Sequence, residues 1–306
     1  MLPSVQAEAQ YDGHEISVAQ FDSGMALWAN KAMLKQVGAR IPKTYKEAWS
    51  KAEFEDILAK LKASGVKYPL YIRQNKPSSM YFMMMPVIAS FGGDYLNRNT
   101  MLAEGMLDSP ETIAAFDYIT WLIKKGYVDP TCDYEDPFYG KKESALSLIG
   151  HWKYTQHVEG LGDDAIIVPL PDFGHGVYTC SGSTVEAMTT AAKENGVEEA
   201  AIKVLEYTLS KEQIKKMVDF NGAIPARKSV MDSIPNLQKG GRLYLYREQL
   251  EAGISVLRPV TPAHMTVLDA VTNVLADVIH GADASEELHS AAKSVDEIIR
   301  ENGWNK

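Results

Sequence analysis

The side chains best equipped for chemistry in this sequence stand just past short apolar runs. His151 and Trp152 follow the run Ser144–Ile149, which stops at Gly150. A strand ending in a glycine turn and passing into a helix aims the next side chains over the strand end, where clefts open in α/β domains. Trp152 there either faces such a cleft or packs on the following helix. Tyr154 is a weaker candidate of the same kind. Gln74 and Asn75 follow the run Tyr68–Ile72, and Tyr81 adds an aromatic face a few residues on. Asp22 can accept two hydroxyl protons without moving, or it can cap a helix starting near Met25, with Ser23 beside it. Gly182 allows close approach of a ligand or a turn, and Ser183 can donate from its hydroxyl. Arg227 serves either as a clamp for hydroxyls or a carboxylate, or as half of an ion pair.

These are groups for stacking and hydrogen bonding rather than for making bonds. The sequence has no HExxH, GxSxG or GxxxxGK[ST] pattern, and its histidines fall into no ligand spacing. His264 and Asp269 are five apart, a poor spacing for joint chemistry. Glu198–Glu199 and Glu286–Glu287 suit helix starts, where the macrodipole favours acids. Cys132 and Cys180 match no zinc or iron–sulfur pattern.

Composition narrows the classes further. With 306 residues, 45% apolar and 23% charged, the chain can build one large or two medium cores. A net charge of −9 with no basic patch disfavours nucleic acid. No apolar run reaches the length of a membrane helix. The opening MLPSVQAEAQ has neither a basic start nor an apolar core, so it predicts no secretory signal and, for the chain as it stands, cytoplasmic placement.

The elements that must hold the candidate residues are strands alternating with amphipathic helices, which predicts an α/β fold. Short strands are expected at Ile16–Gln20, Tyr68–Ile72, Ser144–Ile149 and Ile166–Pro169. Met25–Asn30 reads as a helical turn, continued by Lys31–Val37. Thr44 with Glu47 forms a capping box for a helix to Ser64. Ser78 starts a helix through Phe91, and Ser109-Pro110-Glu111 starts another ended by Gly126. Further helices are expected at Glu198–Leu209, after Ser210, over Ala263–Ile279, and from a Ser285 cap to Arg300.

Several stretches together resemble one family. YDGHEISVAQFDSGMALWANKAMLKQVGARIPKTYKEA is similar to the segment where extracellular solute-binding proteins cross from the first lobe to the second, with Tyr45 where tryptophan is usual. FGGDY, DSPETIAAFDYITWLIKKGYVDP, ALSLIGHWKY, DDAIIVPLP, GAIPARKSV and RPVTPAHMTVLDAV follow in the family's order and cover nearly the whole chain. The resemblance is to the carbohydrate-directed branch serving ABC transporters, of maltose-binding architecture. It implies a periplasmic-binding-protein-like two-lobe α/β fold and no cofactor. It also implies non-catalytic binding of a carbohydrate between the lobes, with permease subunits as partners and an extracellular or periplasmic, in some members lipid-anchored, location.

In that family the aromatic of a GPW or GSW motif stacks on the sugar, which points to Trp152; His151 stands where a small residue is usual. Sugar binding needs an aromatic platform and planar hydrogen-bonding groups. Members carry more chain before this point, so the first lobe is expected to be N-terminally incomplete. On that reading residues 1–24 are a remnant of the first lobe and hinge, and 25–180 form the second lobe. Residues 181–235 return to the first lobe, and 236–306 form a helical segment packing mainly on the second. Impaired binding, a fragment without independent activity, and self-association covering the incomplete lobe follow as expectations. A glycosidase is the enzymatic alternative. It needs two opposed carboxylates, for which Asp22 and Asp94 can be nominated.

Overall fold

The computed structural model describes residues Leu2–Trp304. Its frame is two small sheets joined by very short crossings. The first has four strands in the order Leu70–Tyr71, Leu146–Gly150, Met25–Asn30, Ala165–Val168. The outer pair Leu70–Tyr71 and Leu146–Gly150 is parallel, and the other two pairings are antiparallel. The second sheet sets Val18–Asp22 between Ile224–Pro225 and Thr184–Glu186, both antiparallel. Only Ser23 and Gly24 separate Val18–Asp22 from Met25–Asn30. A two-strand parallel pair, Thr179–Cys180 with Ser255–Val256, lies beside this crossing. The Oγ of Thr179 accepts from the Met25 amide and donates to the Met25 carbonyl, at 2.8 and 2.9 Å.

Met25–Asn30 corrects the expectation of a helical turn. All six residues are buried, with pairing on both sides. A strand covered on both faces has no polar alternation, so its apolar run is indistinguishable from a buried helix segment by period alone. The helix begins only at Lys31, where the Asn30 side chain accepts from the Met33 amide.

Two other helix starts also moved. Thr44 makes no capping bond, and Tyr45–Glu47 is a single tight turn. The helix Lys51–Ala63 is capped by Ser50, whose Oγ accepts from Glu53. Ser50 with Glu53 repeats the box spacing six residues later, and Arg40 selects it by gripping the Glu53 carboxylate at 2.8 and 3.0 Å. The last helix, Ala284–Glu301, is capped by Asp283 rather than Ser285. By contrast, Pro110–Lys124 and Lys211–Asn221 start where expected, with Ser109 and Ser210 accepting from Thr112 and Gln213. Helix Pro77–Phe91 ends at Gly92 in the left-handed region, a conformation that favours glycine.

Two hydrophobic cores result. The larger gathers Trp28, Trp49, Phe116 and Leu146 with helices Pro77–Phe91, Pro110–Lys124, His264–Ile279 and Ala284–Glu301. The smaller holds Leu2, Val5, Ala19, Ile224, Tyr246 and Leu250. Helix Glu198–Thr208 buries no residue, and its Val204 and Tyr207 are exposed, as is Phe220. Cys132 and Cys180 are both free and buried.

His157 is set deep in the larger core. Its ring sits between those of Trp28 and Phe138, each 4.8 Å away, and its Nδ1 has no partner among the described residues. Burial pushes its pKa down to about 3, and that of His151 down to about 4. In the unfolded chain both titrate near 6.5. Between pH 6.5 and 4 the unfolded state therefore binds more protons, and the stability these histidines contribute falls as pH falls. For His151 alone the loss is on the order of 3 kcal/mol by pH 4. Asp22, whose pKa burial raises, works in the opposite sense. Thermal melts of the parent and of His157→Leu from pH 7.5 to 5 separate these effects. The parent should lose more stability than the variant on acidification; parallel curves would show that His157 is not the titrating group.

Candidate functional site

The short crossings between the sheets bring most of the candidate residues together. Asp22 ends the strand Val18–Asp22 and is 0% exposed. Its carboxylate accepts from the Ser23 amide (2.7 Å), the Gly182 amide (2.9 Å), Ser4 Oγ (2.7 Å) and Ser181 Oγ (3.0 Å). Four donors suit an acceptor-only group, so the carboxylate ties the 22–25 crossing to the 180–184 crossing. All of these partners are protein groups; Asp22 opens no helix, because a strand follows it.

Ser23 is buried beside it. Its Oγ lies 2.7 Å from His151 Nε2, and His151 Nδ1 lies 3.0 Å from the Asn221 carbonyl. A carbonyl only accepts, so Nδ1 carries the ring proton and Nε2 accepts from Ser23. Burial keeps this imidazole neutral at pH 7. The pair resembles a nucleophile and its base, yet both residues are buried. It links the crossing to the end of helix Lys211–Asn221. Ser183 donates from its amide (3.0 Å) and hydroxyl to the Glu8 carboxylate, and the single Ser181 hydroxyl proton is shared between Asp22 and Glu8, 3.0 and 3.1 Å away.

Trp152 lies at the next position along and is half-buried. Its ring folds back over Gly150 so closely that a Cβ there would sit 2.1 Å from the indole. It stands 5.6 Å from the His151 ring and 6.3 Å from that of Phe82, centroid to centroid. Phe82, on helix Pro77–Phe91, is also half-buried. A Cβ at Gly182 would meet its ring at 2.7 Å, so glycine is required there for close approach. The Arg258 guanidinium lies over the same ring, 5.2 Å from its centroid. Trp152, Phe82, Gly182 and Arg258 thus form one aromatic and cationic face adjoining the Asp22–Ser23–His151–Ser183 network.

The remaining candidates sit apart from that face or behind it. Tyr81 is buried, stacked on Tyr95 at 4.7 Å and edge-on to His264 at 5.7 Å; its hydroxyl has no partner among the described residues. Burial pushes its pKa up to about 12. Gln74 is buried and donates to the Asp129 carbonyl, leaving its Oε1 unpartnered. Asn75 accepts from Tyr71 Oη at 3.3 Å. Tyr154 turns away: its ring leans toward Trp28 (6.2 Å) and its hydroxyl accepts from Asn236 at 3.1 Å. Arg227 is exposed at the start of helix Lys228–Met231, with no side-chain bond to the others.

Phe82, Arg258, Glu8 and Glu135 were not singled out from the sequence. Glu135 accepts from Arg73 (3.0 Å), Lys76 (2.7 Å) and Lys153 (2.9 Å), which together hold its carboxyl well below the usual range. Lys153 follows Trp152, and Lys76 occupies the N-cap position of the helix that carries Phe82 without a side-chain capping bond. Phe82 carried no local signal that set it apart from the apolar residues around it on the same helix. Arg258 carried no local signal.

The face can stack on a flat apolar surface and hydrogen-bond at its rim. It offers no pair of opposed carboxylates. Asp22 is spent on protein donors, and Asp94 is paired with Arg98 at 2.6 Å. Among the described residues no group of acids, histidines and cysteines could hold a metal. A broad crevice of about 870 Å³ lies elsewhere, between residues 41–47, strand Ala165–Val168 and residues 236–245. Its single aromatic is Tyr244, and Arg242 in its lining is already bonded to Asp163, so it has no paired stacking face.

Comparison with known proteins bears on the fold. No curated protein sequence matches the chain. Solved structures do. Maltose-bound MalE3 of T. maritima superposes with a TM-score of 0.81 at 18% identity, over 97% of this chain and 76% of that one. The GacH receptor of Streptomyces glaucescens gives 0.78 at 18%, over 98% and 75%. UgpB from Mycobacterium tuberculosis, in complex with glycerophosphocholine, gives 0.76 at 19%, over 98% and 74%. These likenesses show the two-lobe α/β binding-protein fold across nearly all of this chain.

They correct the expectation of an N-terminally incomplete first lobe, and with it the expectations of impaired binding and of a fragment without activity. That reading rested on where the family's motifs begin, and a starting point carries no information about packing. From Leu2 onward the chain packs: Leu2, Val5 and Ala9 are buried, and helix Pro3–Glu8 supplies both Ser4 and Glu8 to the crossing network. The family model for bacterial extracellular solute-binding protein matches residues 2–240, more than half of the sequence. The chain therefore belongs to the bacterial extracellular solute-binding proteins, a family that binds its ligands without transforming them.

Proposed function

We propose that this protein captures a carbohydrate on the face formed by Trp152 and Phe82 and delivers it to the permease subunits of an ABC-type importer. The observation that carries the reading is the half-buried Trp152–Phe82 pair beside the Asp22–Ser23–Ser183 network at the crossings between the sheets. A sugar ring presents an apolar C–H face to an aromatic and hydroxyls at its rim to hydrogen-bonding groups. In a two-lobe fold a ligand at the crossings touches both lobes, so binding can favour the closed arrangement by its extra contacts there. Relatives of the same fold support the class: one was solved with maltose and another with acarbose.

The test is a calorimetric titration with maltotriose and with acarbose, paired with tryptophan fluorescence. Binding in the micromolar range, with a change in emission as a ring covers Trp152, is the expected result. No heat and no change in emission at millimolar concentrations of either, or of a wider panel of neutral and charged oligosaccharides, would rule the reading out.

A further inference from the structure

We propose that the ligand carries an anionic group, a carboxylate or a phosphate on a sugar, and that Arg258 is its counter-ion. This rests on the carbohydrate reading above and narrows it to acidic saccharides. The Arg258 guanidinium lies over Phe82, half-buried, and among the described residues no carboxylate forms an ion pair with it. Arg73, Lys76 and Lys153 share the single carboxylate of Glu135; Lys153 follows Trp152 in sequence, and Lys76 stands at the N-cap of the helix that carries Phe82. Arg73 and Lys153 are only 13% and 12% exposed, so their charges are largely removed from water. Arg258 is thus the cation on the Trp152–Phe82 face that has no carboxylate partner among the described residues.

Glu8, the other acid nearby, accepts from the hydroxyls of Ser181 and Ser183 and the amide of Ser183. A cation drawn out of water without a partner is costly, and an incoming anion relieves that cost. A neutral sugar relieves it less well, because its hydroxyls are weaker acceptors. The net charge of −9 does not oppose this, since at physiological salt the field of distant charges is screened within about 8 Å.

The test titrates trigalacturonate, glucose 6-phosphate and maltotriose into the parent protein and into Arg258→Gln, at low and at high sodium chloride. One of the anionic probes is expected to bind at least tenfold tighter than maltotriose and to weaken with salt. Arg258→Gln should cost that probe at least tenfold more than it costs maltotriose, with a melting temperature that shows the variant folded. Whichever anionic probe binds tighter distinguishes carboxylate from phosphate. If maltotriose binds as tightly as both anions, or Arg258→Gln weakens all three alike, the charge inference is overturned while the carbohydrate reading stands. If no probe binds at millimolar concentration, the charge inference is overturned, and the carbohydrate reading falls with it when acarbose and the wider oligosaccharide panel also fail.

Discussion

Replacement of Asp22 by alanine is expected to destabilise the protein by about 3–5 kcal/mol, the cost of removing one member of a buried, charged hydrogen-bond network. The carboxylate is fully buried and accepts from two backbone amides and two serine hydroxyls drawn from three separate segments. Alanine leaves the Ser23 and Gly182 amides and the Ser4 hydroxyl short of an acceptor inside the protein, while the Ser181 hydroxyl keeps Glu8. It also unties the two chain crossings that share the carboxylate. Asp22→Asn keeps one acceptor oxygen, and the Ser4 hydroxyl can turn to accept from the new amide, so its loss should be smaller. Urea unfolding of the parent and both variants reads the order. An alanine variant within about 1 kcal/mol of the parent would show that the network is not a cross-link.

Trp152→Ala is expected to weaken sugar binding by roughly 30- to 100-fold, the 2–3 kcal/mol of a central aromatic anchor. Its effect on stability should be far smaller than that of Asp22→Ala, because the indole is only half-buried and the Phe82 ring beside it is half-buried too. Trp152→Phe should recover part of the affinity, since a smaller aromatic still offers a stacking face. Affinity within threefold of the parent for the alanine variant would remove Trp152 from the site. The two substitutions therefore separate a structural residue from a binding one, although the sequence nominates both as ligand-binding groups.

The helix starts show which parts of the fold could be read in advance. Ser109 and Ser210 bond an amide three residues on, so every atom of those caps lies within one turn of sequence. Thr44 and Ser50 both carry the same spacing to a glutamate, and the pattern could not choose between them. Arg40 chooses, by bonding the Glu53 carboxylate and the Glu47 carbonyl. Met25–Asn30 failed for a related reason: its identity as a strand resides in partners at residues 146–150 and 165–168.

The sequence alone carried the α/β class, most element positions, the family, and Trp152 beside a glycine turn. Those properties depend on local periodicity, local capping and the order of short motifs, all of which are written along the chain. The tertiary structure decided what Trp152 faces and what Asp22 does. Phe82 and Arg258 reach the indole, and Ser4, Ser181 and Gly182 reach the carboxylate, only through folding. Whether a polar side chain stays free for a ligand depends on which distant donors arrive to occupy it, and no stretch of sequence around that side chain records their arrival.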